Sequence, residues 1–305
     1  LGPAIGGCRF WSYDTEREHR NDALRLGYGM ALKNSLAGLD HGGGKAVINS
    51  KHVKDKKEVL KSFAELVDTL GGDYVTAGDV GITQDDLMTI KQYTDNVCGY
   101  DVYTAPHTAY GVYKALEAAM KFKNIPDLNG LHVAISGLGK VGADLAKRVD
   151  DGGARLTVAD VNKEAVSDLA KSVWFKDITP DKIYEVSCDV LMPCALGGII
   201  NPDSIRNIDT SIICGAANNQ LAKESSGRIL HNHGVTYVPD YLANAGGVIS
   251  VGVAFKGIKD EAEVKKIIDE KVYSRTLEVL ERSKEENVPA FLIADQIAKE
   301  RLGLS

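Results

Sequence analysis

Two lysines and one aspartate stand in settings where charge is out of place. Lys33 lies in Met30-Ala31-Leu32-Lys33-Asn34-Ser35, a stretch otherwise apolar or small. Lys45 follows Gly42-Gly43-Gly44 and precedes the apolar run Ala46-Val47-Ile48. A lysine entering a core-like region loses hydration, which disfavours its charged form and lowers its pKa. Such a group can polarise a carbonyl or activate water near neutral pH. Asp79 sits on a glycine-flanked turn, Gly78-Asp79-Val80-Gly81, after an apolar segment. A carboxylate there is either a structural turn former or a functional group. The glycines before Lys45 do not spell a P-loop. That motif needs Gly at position 39 and Ser or Thr at position 46, where the chain has Leu39 and Ala46, so ATP chemistry is disfavoured.

A second constellation concerns a cofactor. Val133-Ala134-Ile135-Ser136 runs into Gly137-Leu138-Gly139-Lys140-Val141-Gly142, a G-x-G-x-x-G turn between a strand and a helix. Gly137 permits the tight turn, Gly139 lets a pyrophosphate approach the backbone, and Gly142 lets helix and strand pack closely. Lys140 and Val141 open the helix, whose free N–H groups suit phosphates. Asp160 ends a second strand 18 positions beyond Gly142, near the spacing of the acid that holds the ribose hydroxyls. Its charge repels a 2′-phosphate, so NAD is expected over NADP, with Lys163 nearby as the opposing feature. The alternative is an ordinary glycine-rich turn with an unrelated acid.

These residues need elements to carry them. Residues 12–36 have a helical period that can bring Ala23, Leu24, Leu26, Met30, Ala31 and Leu36 to one face. A turn over His41–Gly44 follows, then a strand at 46–48, a helix over 55–70 and a strand at 74–77. Thr83-Gln84-Asp85-Asp86 reads as a helix start, and Tyr110–Lys123 as a strong helix. Strand and helix patterns then alternate at 131–136, 139–150, 155–159, 163–172, 189–192, 211–214, 225–233 and 235–238. Alternation at this spacing means a parallel sheet with helices on both faces. The last 45 residues read as helical, turning at Asn287-Val288-Pro289. The expected domains are 1–108 plus 286–305 and a dinucleotide-binding 109–285, the terminal helix packing back on the first. His41 and His107 read as loop residues.

The totals are ordinary for a globular protein. A chain of 305 residues suits two domains. A net charge of −6 with interspersed signs gives no nucleic-acid or anionic-membrane surface. Nor is there an apolar run long enough to span a membrane. The 5 cysteines form no C-x-x-C pair and spell no metal site. Buried free thiols in a reducing cytoplasm are expected. The opening Leu1-Gly2-Pro3-Ala4 reads like the middle of a domain, so residues upstream of Leu1 are expected.

The set of blocks resembles the glutamate/leucine/phenylalanine/valine dehydrogenase family over nearly the whole chain. The likeness runs from Leu1-Gly2-Pro3-Ala4-Ile5-Gly6-Gly7-Cys8-Arg9 through the Lys33, Lys45 and Asp79 blocks. It continues in Pro193-Cys194-Ala195-Leu196-Gly197-Gly198, Gly215-Ala216-Ala217-Asn218-Asn219-Gln220 and Pro239–Gly247. The resemblance implies an α/β fold of two domains, a substrate and oligomerisation domain and a Rossmann-type doubly wound one, with a cleft between. It implies NAD-dependent, reversible oxidative deamination of an L-amino acid to its 2-oxo acid and ammonia. Lys33 would hold the substrate carboxylate, Lys45 would activate water, and Asp79 would exchange protons with the amino group. Thr108 and Asn244 match positions near substrate and nicotinamide, and Ala217 and Asn218 a loop under the cofactor. The implied pocket comprises Leu1, Gly2, Ala77, Val248 and Val251. Ile5 stands where glutamate-specific relatives carry a lysine, so leucine, valine or isoleucine is expected rather than glutamate. A phenylalanine-type enzyme and an inactive dinucleotide sensor remain alternatives, as does a hydroxy-acid dehydrogenase, although no histidine has the acid partner that chemistry wants. A homo-oligomer is expected, and the segment 98–107 is short for the family.

Overall fold

The structure, a computed structural model, describes residues 1–304 and divides them into two compact units. The first comprises residues 1–103, 248–260 and 298 onward; the second comprises 104–247 and 261–297.

In the first unit, β1 (Ala4–Trp11) leads into α1 (Glu16–Leu36), followed by β2 (Gly42–Gly43) and β3 (Ala46–Asn49). Then come α2 (Lys56–Thr69), β4 (Tyr74–Gly78) and α3 (Gln84–Lys91). The sheet is parallel and β1 is its centre. One edge of β1 pairs with β4, Ala4 opposite Tyr74 and Cys8 opposite Gly78. The other edge pairs with β2 and β3 in a single register, Ala4 opposite Gly42 and Cys8 opposite Ala46. That edge is interrupted only at Gly44-Lys45. The expected turn over His41–Gly44 is therefore partly strand. Its glycines admit helix α1: a Cβ on Gly43 would lie 1.9 Å from the backbone nitrogen of Ala31. Buried Asn34 adds a tie, its Nδ2 donating to the carbonyls of Gly42 at 2.8 Å and Ile5 at 3.3 Å.

Helix α1 starts where a capping box stands. The Thr15 side chain accepts from the Glu18 N–H, and the Glu18 side chain accepts from the Thr15 N–H. Its burial differs from the expected face. Leu24 is 67% exposed, and the fully buried positions are Leu32, Asn34, Ser35 and Leu36 in the last turns. Burial is concentrated at that end, although the first half of the helix also meets the sheet, where Asp22 accepts from Arg9 of β1 and His19 Nε2 lies 2.8 Å from the Val47 carbonyl. Ser35 Oγ donates to the Ala298 carbonyl at 2.7 Å, so the chain's terminal residues belong to this unit. A core of Leu60, Ala64, Leu87, Ile90 and Val97 fixes α2 and α3.

In the second unit the elements are α4 (Thr104–Phe122), β5 (His132–Ser136), α5 (Lys140–Asp151), β6 (Arg155–Ala159), α6 (Lys163–Leu169), β7 (Phe175–Asp177), β8 (Cys188–Pro193), β9 (Thr210–Ile213), α7 (Glu224–Asn232), β10 (Thr236–Tyr237) and α8 (Asp240–Ala243). Helix α9 (Gly246–Phe255) runs from this unit into the first, α10 (Glu261–Glu286) returns, and α11 (Ala290–Leu302) closes the chain. The 6-stranded sheet has order β10-β9-β8-β5-β6-β7, and all five pairings are parallel. This is the doubly wound arrangement, reversing direction between β5 and β8. Its core joins Ala134, Leu191, Ile213, Leu230 and Tyr237.

Two expectations need correction. Helix α4 begins at Thr104 rather than near Tyr110, and His107 lies inside it, buried, with Nε2 3.0 Å from Glu261. It is not a loop residue. His41 does lie in a loop but is buried, 3% exposed, and burial pulls its pKa down. The unit boundaries also differ from the expected ones. Residues 248–260 join the first unit, where Gly252 packs on Leu39 and His41. Residues 261–297 stay with the second, where α10 lies along α4.

Candidate active site

Alternate residues of neighbouring parallel strands face the same side of a sheet. Register therefore decides what meets on the first unit's face. Ile5 lies opposite Val75, Gly7 opposite Ala77 and Cys8 opposite Gly78, so that Arg9 and Asp79 follow the last pair just past the end of β4. Gly7 matters for closeness: a Cβ there would lie 2.3 Å from the Gly78 carbonyl and 3.0 Å from Asp79 Cβ. Lys45 enters from the break between β2 and β3, its side chain 8% exposed, and its Nζ is 3.0 Å from Asp79 Oδ2. Lys45 and Asp79 are thus brought together. Lys33 lies in the last turn of α1, half-buried.

Arg9 was not singled out from the sequence. Its Nε donates to Asp79 Oδ2 at 2.9 Å, and its Nη1 to Asp22 Oδ2 at 3.0 Å. Asp22 also accepts from the Tyr13 hydroxyl at 2.5 Å and from Arg25 at 2.7 Å. Burial works against the Arg9 charge, but Asp79 and Asp22 outweigh it and shift the guanidinium upward. Burial likewise opposes the Asp22 charge, and hydrogen bonds from Tyr13 and Arg25, with Arg9, hold its carboxyl below the usual range. The available signal was an arginine after Gly-Gly-Cys in an apolar run, which demands a carboxylate partner.

Beside this polar cluster the same face is apolar. Ile5, Val75 and Cys98 are buried together, with Ala77 and Val251 packed against them. Cys98 was also missed as a member of this wall. Of the other pocket candidates, Val248 is half-buried on α9, whereas Leu1 and Gly2 are exposed at the chain's start.

In the second unit, Gly137 adopts φ 97°, and a Cβ there would lie 2.8 Å from Ala195. A Cβ on Gly142 would lie 2.0 Å from the Gly137 carbonyl, so only glycine lets α5 sit this close to the turn. Gly139 caps α5, and a Cβ there would meet no atom within 4 Å. Lys140 is exposed and Val141 half-buried in the first turn of α5. Open space at a helix N-terminus fits a pyrophosphate. Asp160, at the end of β6, accepts from the backbone N–H of Leu138 within the turn and of Asn162 at 2.6 Å. Lys163 is turned to Asp177, 3.1 Å away.

Of the remaining candidates of this unit, Asn244, Asn218 and Ala217 lie on or beside one loop. Asn244, 4% exposed, donates to Asn218 Oδ1 at 2.8 Å and to the Ala216 carbonyl at 3.1 Å. Buried Gln220 donates to the carbonyls of Gly215 and Ala217, 3.0 Å each, which stiffens the loop. Thr108 Oγ1 bonds the Thr104 carbonyl and lies 2.5 Å from where a Gly247 Cβ would be.

Comparison with known proteins gives a consistent result. The family model described as Glu/Leu/Phe/Val dehydrogenase, dimerisation domain, matches residues 1–96, and the Glutamate/Leucine/Phenylalanine/Valine dehydrogenase model matches residues 156–303. The chain is 42% identical to leucine dehydrogenase of Thermoactinomyces intermedius, over 99% of this chain and 84% of that protein. It is 38% identical to valine dehydrogenase of Streptomyces coelicolor, over 99% and 85%. Among solved structures, L-tryptophan dehydrogenase from Nostoc punctiforme superposes with a TM-score of 0.90 at 36% identity, covering 99% of this chain and 88% of that one. No helix among the described residues is long and apolar enough to cross a membrane. With that fold, and with relatives matched along nearly its full length, the chain belongs to the glutamate/leucine/phenylalanine/valine dehydrogenase family and is a dinucleotide-dependent amino-acid dehydrogenase acting on a CH–NH2 group.

Proposed function

We propose that the enzyme is an NAD-dependent dehydrogenase of leucine, valine and isoleucine, releasing the 2-oxo acid and ammonia. One observation carries the reading: the Lys45–Asp79 pair, 3.0 Å apart, adjoins an apolar wall of Ile5, Ala77 and Val251 on the same sheet face. A carboxylate on the substrate side chain would have no cation at Ile5, which disfavours glutamate. Val248, Leu1 and Gly2 would complete the pocket.

NAD, when bound, would supply the hydride acceptor for the alpha carbon. The chain's own groups do the rest. Lys33 pairs the substrate carboxylate. Asp79 takes a proton from the substrate ammonium, because a protonated amine cannot form an imine. Lys45 then orients and activates the attacking water and polarises the 2-oxo group in the reverse direction. Gly137, Gly139, Lys140, Val141 and Gly142 hold the pyrophosphate, and Asp160 the ribose hydroxyls. Ala217 and Asn218 support the cofactor, while Thr108 and Asn244 serve nicotinamide and substrate. Lys163, engaged with Asp177, leaves Asp160 without a cation to greet a 2′-phosphate. A homo-oligomer assembled through the first domain, in the cytoplasm, completes the reading.

The test is direct. Purified protein is offered leucine, valine, isoleucine, phenylalanine and glutamate at alkaline pH, with NAD or NADP, following absorbance of the reduced nucleotide. Turnover is expected with NAD and the branched aliphatics, and little with glutamate. Robust glutamate turnover refutes the Ile5 argument; preference for phenylalanine refutes the aliphatic assignment. Lys45→Ala should abolish turnover while NADH still binds, and near-normal rates in that variant refute the mechanism. Absence of any turnover with NADH bound tightly would leave a sensor.

A further inference from the structure

We infer that Arg9 is a positioning residue for the reaction: it locks Asp79 in place by bridging it to Asp22. The inference rests on Asp79 acting as the proton exchanger in the proposed mechanism. Three features of the geometry carry it.

First, Arg9 is a fork with its two arms occupied. Nε meets Asp79 Oδ2 at 2.9 Å and Nη1 meets Asp22 Oδ2 at 3.0 Å. A planar guanidinium engaged by two carboxylates cannot swing without breaking a charge-assisted bond. The Arg9 side chain is 21% exposed, Asp22 14% and Asp79 20%, so water screens these bonds less than it screens a surface pair.

Second, Asp22 is itself anchored. Tyr13 donates to the oxygen that Arg9 uses, and Arg25 bonds the other oxygen. Asp22 lies on α1 and Arg9 on β1. The chain of contacts therefore ties the orientation of Asp79 to rigid elements rather than to its own turn, which has glycines on both sides.

Third, Arg9 and Lys45 address the same atom. Both reach Asp79 Oδ2, at 2.9 and 3.0 Å. With Oδ2 claimed by two cations from β1 and the β2–β3 break, the carboxylate plane is fixed and Oδ1 has a defined direction. A proton exchanger works only within hydrogen-bond reach and angle of its target. Lys45 alone would leave the carboxylate free to rotate about that single contact, following the lysine as it moves toward water or substrate.

The experiment compares Arg9→Gln, Arg9→Lys, Asp22→Asn and the Arg9→Gln/Asp22→Asn double variant with the wild type in NAD reduction. Unfolding temperature is recorded for each. Arg9→Gln should lower kcat by about tenfold to a hundredfold, with KM for the amino acid changed far less. Arg9→Lys should recover only part of the loss, because one ammonium cannot hold both carboxylates. Asp22→Asn should show a smaller kcat defect of the same kind. The double variant should be no worse than Arg9→Gln, since both act through one contact. The inference is overturned if Arg9→Gln keeps kcat within about twofold of wild type, or if the double variant loses the product of the single effects. Should Arg9→Gln fail to fold, Asp22→Asn decides alone: a kcat loss at constant KM supports the bridge, and unchanged kcat refutes it. A crystal structure of the soluble Arg9 or Asp22 variant separates this inference from the functional reading. If the wild type turns over no amino acid, the reading falls. An unmoved Asp79 carboxylate in the variant overturns the inference whatever the activity.

Discussion

At the scale of single residues, the three glycines of the nucleotide turn are unequal. Ala at Gly139 meets no atom within 4 Å, and the backbone there, at φ −64°, suits any L-residue. Gly139→Ala should leave the unfolding temperature unchanged and weaken NADH binding about tenfold or more, because the methyl group stands where the pyrophosphate approaches. Ala at Gly142 would lie 2.0 Å from a carbonyl oxygen. Gly142→Ala should therefore destabilise the fold by about 1–3 kcal/mol. Calorimetry and a fluorescence titration with NADH distinguish the two; equal stability losses would contradict the geometry. The turn was legible in the sequence because its parts are contiguous. Arg9 was not, because its partner Asp79 lies 70 positions away. No local pattern shows a pairing that only strand register creates. The Lys45–Asp79 pair was reached through family likeness, and the structure supplies its distance.

At the scale of elements, long periodic segments were the easiest to read and β1 the hardest. Ala4-Ile5-Gly6-Gly7-Cys8-Arg9 is assigned to no element from the sequence, since glycine weakens an isolated strand. The structure shows why glycine is needed: a Cβ on Gly6 would lie 1.9 Å from the Gly44 carbonyl, and Gly7 is as crowded by Gly78. A crowded central strand mimics a flexible one in composition. Helix α1 shows the converse. Its length is readable, but its buried face is not, because the buried positions crowd into the last turns. The two ends of α1 should thus respond differently to substitution. Thr15→Ala removes the capping box at the exposed end and should cost about 1 kcal/mol with kcat unaffected. Gly43→Ala forces the Ala31 backbone away at the buried end. Lys33 lies two residues further on, so this change should raise KM for the amino acid as well as lower stability. Denaturant melts beside steady-state kinetics check both; a KM unchanged in folded Gly43→Ala would show that Lys33 does not depend on this contact.

At the scale of the whole molecule, buried proton-bearing groups set the pH range of the fold. Burial pushes the thiols of Cys8, Cys98 and Cys194 up to about 12 and that of Cys188 up to about 11. Tyr13 also rises to about 12, through burial and its bond to Asp22. Each of these is neutral when protonated, and the folded state holds the proton more tightly than the unfolded chain does. Their contribution is complete below the unfolded thiol value of 9.0 and is lost as pH climbs toward about 12. Carboxylates act at the other end. Asp22 and Asp86 keep pKa values below 3.8 against the opposing effect of burial, through hydrogen bonds and nearby cations. Their stabilisation is present above 3.8 and disappears as pH falls further. Unfolding free energy should therefore be nearly level between about pH 7 and 9, fall below the ordinary histidine value of 6.5 as the unfolded chain protonates His41 and the folded one resists, and decline steadily above 9. The thiols are shared between both units, Cys8 and Cys98 in the first and Cys188 and Cys194 in the second. Each unit should weaken in alkali. Urea melts at half-unit pH steps test this, alongside a thiol reagent at pH 8, which should label the native protein slowly and the denatured protein at once. A stability curve that stays level to pH 11 would mean that these thiols meet water in the folded protein. The proposed deamination assays then have a practical ceiling, because the alkaline conditions that favour amine deprotonation also withdraw the protons on which the two cores depend.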